Sequence, residues 1–191
     1  MNNCATNYYA SLAMAIADIN GDTSANALVD SSSAKVKVVT DCTGGITVSL
    51  LANDDYDSII TVEKDMVLEL GDKVLSFTGE GSLDLVAGTD VTINGGTLQR
   101  EIAEVIVDDG NEEKDESNYL VQTAGKLKIN DGSYQISGYR NSGFVAIKAT
   151  DTCALLEVSD ANVSATNGEN ESGTGVKAIQ SQAAVTVISN T

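Results

Sequence analysis

A short motif that keeps coming back constrains this chain more than anything else in it. Leu68-Glu69-Leu70, Val91-Thr92-Ile93, Leu127-Lys128-Ile129, Leu156-Glu157-Val158 and Val185-Thr186-Val187 each read apolar–polar–apolar. Turn pairs follow the first four: Gly71-Asp72, Asn94-Gly95, Asn130-Asp131 and Ser159-Asp160. Taken alone, "VTINGGTLQ" (Val91 to Gln99) signals a tight hairpin, because Asn-Gly between alternating runs favours a two-residue turn. Recurrence changes that reading. A sandwich gives no reason for one triplet to return along the chain, whereas a stack of coils, each of short strands and corners, requires it. Asn94-Gly95 then turns the chain onto the next face instead of back on itself.

The implied fold is all-β: a parallel β-helix (β-solenoid) of about five or six coils. Equivalent strands would stack about 4.7–4.9 Å apart, giving a prism roughly 25 Å long. The apolar triplet positions would form interior columns, and Glu69, Thr92, Lys128, Glu157 and Thr186 would face outward. Residues 1–33 read as an N-terminal capping helix and loop. In "YASLAMAIADIN", Leu12, Ala15, Ile16 and Ile19 share one helical face, with Ser11 as the N-cap. Residues 34–191 read as the β-helix, with an acidic insertion at 100–118 that holds eight acids and one Lys between Glu101 and Ser117. A stack leaves an open strand edge at each end; the helix suits one. At the other, "VTVISNT" stops inside a strand pattern, so truncation at the C-terminus, or a partner covering that end, is expected.

Composition narrows the function. The net charge of −17 argues against nucleic acid and anionic membranes, which need clustered Lys and Arg. Trp, Pro and His are absent, so the core is built from aliphatic side chains and the turns from Gly, Asn, Asp and Ser. Three cysteines (Cys4, Cys42, Cys153) without His or a C-x-x-C exclude the usual zinc site, and the thiols read as small buried side chains. No stretch is long enough to span a bilayer, so no direct membrane insertion is expected. "MNNCATNYYA" carries no secretion signal, and Met1 reads as the head of a piece cut from a longer precursor.

The stretches "NYYASLAMAIADI", "KVKVVTD", "GITVS", "IITVEKDMVLELGDKVLSFTG" and "LVAGTDVTINGGTLQ" resemble a pattern common in surface proteins of Gram-positive gut bacteria. That pattern opens with a Tyr-rich strand and a helix of the form Y-x-S-L-x-x-A-I, then runs V-x-L-x-x-D, I-T-V, L-D-L-N-G-K-T-L and L-T-I-N-G-G-T-I. The resemblance is strongest over residues 7–100. It implies a right-handed parallel β-helix of the pectin-lyase-like type, extracellular, at the cell surface or cell wall, within large adhesin-like proteins. Asn26–Ser33, Asn53–Asp57 and Glu101–Ser117 depart from the pattern.

Three functions compete. The leading expectation is a non-catalytic, structural or adhesin-like surface, monomeric, meeting an unknown protein or glycan on a host or neighbouring cell. The second is a glycan-binding module using Tyr134, Tyr139 and Arg140. The third is a polysaccharide lyase or glycoside hydrolase-like enzyme. Against the third, Arg100 and Arg140 are the only arginines, lyase patterns with paired Arg around Pro cannot form, and a −17 surface repels uronate chains. No cofactor is expected. Calcium is the one candidate ion, at Asp108, Asp109, Glu112 and Glu113, because hard cations want several oxygen ligands.

Overall fold

The computed structural model describes residues 6–20, 46–102, 119–138, 144–167 and 176–190. Among the described residues one helix, α1 (Leu12–Asn20), follows a short strand, β1 (Thr6–Tyr9), and the described residues after it form strands and turns. The helix starts where the sequence places it, with Met14 N–H donating to Ser11 Oγ at 3.2 Å. Tyr56 supplies the rest of the cap: its hydroxyl accepts from Leu12 N–H at 2.7 Å and Ala13 N–H at 3.2 Å, and donates to Asp54. These bonds satisfy amides that a helix N-terminus leaves without partners. Leu12, Ala15 and Ile16 are buried, and α1 packs on β1, β2 (Ile46–Leu50) and β4 (Ile59–Val62).

The strands fall into three groups, and every pairing is parallel. The first runs β1, β2, β5 (Met66–Phe77), β7 (Asp90–Ile102), β9 (Lys126–Asn130), β12 (Leu155–Ser159) and β15 (Thr186–Ser189). In the second, β3 (Asp54–Tyr56) pairs the C-terminal half of β5, which pairs that of β7, then β10 (Ser133–Gly138) and β13 (Asn162–Asn167). The third is a separate sheet of β4, β6 (Ser82–Leu85), β8 (Tyr119–Thr123), β11 (Val145–Ala149) and β14 (Lys177–Ser181). From β2 onward the chain visits the three groups in turn. No hairpin forms at Asn94-Gly95, and β7 passes through that pair from the first group into the second.

The corner between the first and second groups uses the same backbone device each time. Gly71, Gly95, Asp131 and Asp160 all have positive φ, between 56° and 67°. Glycine has no Cβ to clash there, and Asp is among the few other residues that tolerate the left-handed region. Just before the corner a polar column runs Ser49, Glu69, Asn94, Asn130, Ser159 and Ser189. Asn94 donates to Glu69 at 2.6 Å, Asn130 donates to Asn94 at 3.0 Å, and the Ser159 and Ser189 hydroxyls lie 3.1 Å apart. Amide ladders of this kind tie stacked strands together at identical positions.

Inward columns make the core. Met66, Val91, Leu127 and Leu156 stack in one; Leu68, Ile93, Ile129 and Val158 in the next; all are buried. The far end differs: β15 is exposed along its length, with Val185, Val187 and Ile188 open. Several expectations need correction. Residues 100–102 belong to β7, so the acidic excursion does not begin at residue 100; residues 103–118 lie outside the described residues, as do 21–45. Within Asn53–Asp57, which departs from the surface-protein pattern, Asp54–Tyr56 forms β3 and Tyr56 is buried. Cys153 is free and buried, whereas Cys4 and Cys42 fall outside the described residues. No helix among the described residues is long and apolar enough to cross a membrane.

Candidate functional site

Period-two alternation gives the second strand group an inner and an outer face. Inside, Leu75, Leu98 and Tyr134 form one column and Phe77, Arg100 and Ile136 another, all buried. Outside, Ser76, Gln99, Gln135 and Ser164 stand in register across β5, β7, β10 and β13. Two residues further along, Glu101, Ser137 and Thr166 form a second column, extended by Thr78. The two columns border a cleft of about 270 Å³ on this face. Gln99 Nε2 donates to Ser76 Oγ at 3.2 Å, and Gln135 Nε2 donates to Ser133 Oγ at 2.6 Å. Each amide keeps its carbonyl oxygen and its other N–H bond for solvent or a ligand.

Arg100 underlies the cleft without serving it as an exposed cation. Its guanidinium donates to the carbonyls of Tyr119 at 2.6 Å and Gly79 at 2.5 Å. Those bonds join β7 to β8 and to the turn after β5. Among the described residues lining the cleft, Glu101 is the one exposed ionic group.

A second polar constellation lies on the third group. Asp84, Gln122 and Lys148 are in register on β6, β8 and β11. Tyr119 OH donates to Asp84 Oδ2 at 2.9 Å, Ser82 Oγ donates to Asp84 Oδ1 at 3.3 Å, and Gln122 Nε2 donates to Tyr119 OH at 3.4 Å. Lys148 Nζ sits 5.4 Å from the centre of the Tyr119 ring, within cation–π range. Partial burial pushes the Asp84 carboxyl up, against the lowering effect of its two hydrogen bonds and Lys148. Burial first, and the Asp84 charge second, push the Tyr119 phenol up to about 12. A phenol held that high is no base at neutral pH, and the single carboxylate already accepts two hydrogen bonds. The constellation ties three strands together.

That arrangement has a measurable consequence. A carboxyl raised above its unfolded value contributes stability below about pH 4, and that contribution is lost as pH rises through the folded value. At neutral pH the Asp84 charge is therefore a cost. Asp84→Asn keeps an acceptor for the Tyr119 hydroxyl and removes the charge. The variant should melt about 2 °C or more above the parent at pH 7, with the gain vanishing near pH 3. A variant less stable than the parent at pH 7 would show that the charge is stabilising.

The residues named from sequence fare unevenly. Tyr134 is fully buried, so its ring offers no sugar platform, correcting that assignment. It shares its face with Ile136, and the alternation "SYQIS" carried that signal. Tyr139, Arg140, Asp108, Asp109, Glu112 and Glu113 lie outside the described residues. Among the described residues no group of three or more Cys, Asp or Glu side chains is placed to hold a metal ion. Sequence reasoning missed the cleft, whose Ser, Gln and Thr residues look like ordinary solvated strand positions until their register is known. No protein-family model, curated protein or solved structure matches the chain.

Proposed function

We propose that the chain is a right-handed parallel β-helix that works as a non-catalytic binding scaffold at a bacterial cell surface. The observation that carries this reading is the cleft of in-register hydroxyl and amide side chains on β5, β7, β10 and β13. It offers contact groups on a row of strands in which β5, β7 and β10 are held by neighbours on both sides, which is what a binding surface needs. The chain's cyclic visits to three parallel groups support the β-helix, and parallel crossovers are right-handed in nearly every known case. The extracellular setting rests on the resemblance of residues 7–100 to surface-protein repeats and on the −17 charge.

Glycoside hydrolysis needs two carboxyl groups flanking the bond; among the described residues lining the cleft, Glu101 is the one acid. The test is an assay of the purified chain against pectins, xylans and glucans, with and without calcium. No new reducing ends and no unsaturated products are expected. Calcium-dependent cleavage of an acidic polysaccharide would sink the reading.

A further inference from the structure

We propose that the cleft across β5, β7, β10 and β13 binds an extended, neutral glycan lying along the stacking direction. The inference deepens the scaffold reading and rests on it.

The lining chemistry selects the ligand class. Ser76, Ser137 and Ser164 present hydroxyls, and Gln99 and Gln135 present amides. Every one of these groups both donates and accepts, as a chain of sugar hydroxyls does. The apolar side chains at the cleft, Phe77 and Ile136, are buried beneath it. Among the described residues a greasy or aromatic ligand therefore finds nothing to cover. Anionic ligands are disfavoured: Arg100 is buried and turned to the Tyr119 and Gly79 carbonyls, Glu101 is exposed, and the chain carries −17.

Repetition argues for a polymer. The same group types return on four successive strands at a spacing of about 4.8 Å, close to the length of one sugar unit in an extended chain. An extended peptide is a poorer fit. Peptides add to sheets through an open strand edge; β5, β7 and β10 are paired on both sides, and among the described residues only β13, at the end of the row, is paired on one. The cleft offers side chains, not main-chain groups. It is also partly pre-set, because the hydrogen bonds from Gln99 to Ser76 and from Gln135 to Ser133 already hold both amides. Holding side chains in place before binding reduces the entropy lost on association.

The experiment uses the intact chain in ligand-observed NMR with millimolar cellohexaose, mannohexaose, chitohexaose and hexagalacturonate. At least one neutral hexasaccharide should bind, and hexagalacturonate should not. Gln99→Ala combined with Gln135→Ala should weaken binding at least tenfold, with the melting temperature checked to confirm folding. Lys128→Ala, on the face carrying β9, should leave binding unchanged. Absence of binding by all three neutral probes, a preference for hexagalacturonate, or indifference to the double variant would overturn the proposal. Cleavage of a bound probe, abolished by the double variant, would instead overturn the non-catalytic reading and leave the cleft's ligand standing.

Discussion

Gly96→Ala should lower stability by about 3–4 kcal/mol, whereas Gly71→Ala should cost only about 1–2 kcal/mol. Both residues sit at the corner between the first and second strand groups with positive φ, 73° and 59°. An L side chain in that region costs about 1–2 kcal/mol from its own backbone contacts. Beyond that the two sites part company. A methyl group at Gly71 would meet nothing within 4 Å. One at Gly96 would overlap the Leu70 Cβ and sit 3.0 Å from both Leu70 Cδ1 and the Lys73 carbonyl oxygen. Leu70 is buried and the Lys73 atom is backbone, so neither can yield cheaply. For a chain of this size the melting temperatures should drop by about 10 °C and about 4 °C respectively. Equal drops would mean that φ alone sets the cost and that the corner has room to relax.

The same corner explains how much of the fold could be read in advance. The three middle triplets, at Val91, Leu127 and Leu156, are in the register the sequence suggests. The turn residues after them carry the positive φ expected of Asn-Gly, Asn-Asp and Ser-Asp punctuation. At the first triplet the alignment slips by two: Met66 and Leu68, not Leu68 and Leu70, pair with Val91 and Ile93. One residue of the slip arises because Gly71 pairs with Gly95 and not with Asn94, the other because an irregularity between Glu69 and Gly71 puts an additional residue, Leu70, before the corner. Because a two-residue slip preserves the inward face, no pattern of apolar residues could reveal it. At the last triplet the slip is one residue, so Thr186 pairs with Leu156 and Ile188 with Val158. That error flips faces, yet β15 is exposed throughout and its burial pattern gives no correction.

Two further misses concern polar residues. Arg100 alternates with Leu98 and Ile102, which places it inward, but an interior arginine is rejected on sequence grounds until its carbonyl partners are known. The cleft was invisible for a related reason. Ser76, Gln99, Gln135 and Ser164 lie far apart in the chain, and only register brings them together.

The second large effect should appear in base. Tyr56, Tyr119 and Tyr134 are all buried, and burial is the leading cause pushing each phenol up. A phenol raised above its unfolded value of about 10 leaves stability intact below that pH, then removes it as pH rises through the folded value. For Tyr119 the folded value is about 12. Each such tyrosine costs stability as pH rises through that window, and the three losses add, so the fold weakens steeply above about pH 10. Phenolate absorbance and circular dichroism should therefore change together in one steep step, since ionisation and unfolding are linked. Two variants separate the contributions. The Tyr134 hydroxyl is buried without a hydrogen-bond partner. Tyr134→Phe should thus gain about 1 kcal/mol at neutral pH and shift the alkaline midpoint upward. Tyr56→Phe takes away the acceptor for the Leu12 and Ala13 amides at the start of α1 and should cost about 1–2 kcal/mol. A Tyr134→Phe protein that is less stable than its parent at neutral pH would show that the hydroxyl makes a bond worth more than its burial costs. Ionisation spread over several pH units, with the strand signal unchanged, would show that the three rings reach solvent without unfolding.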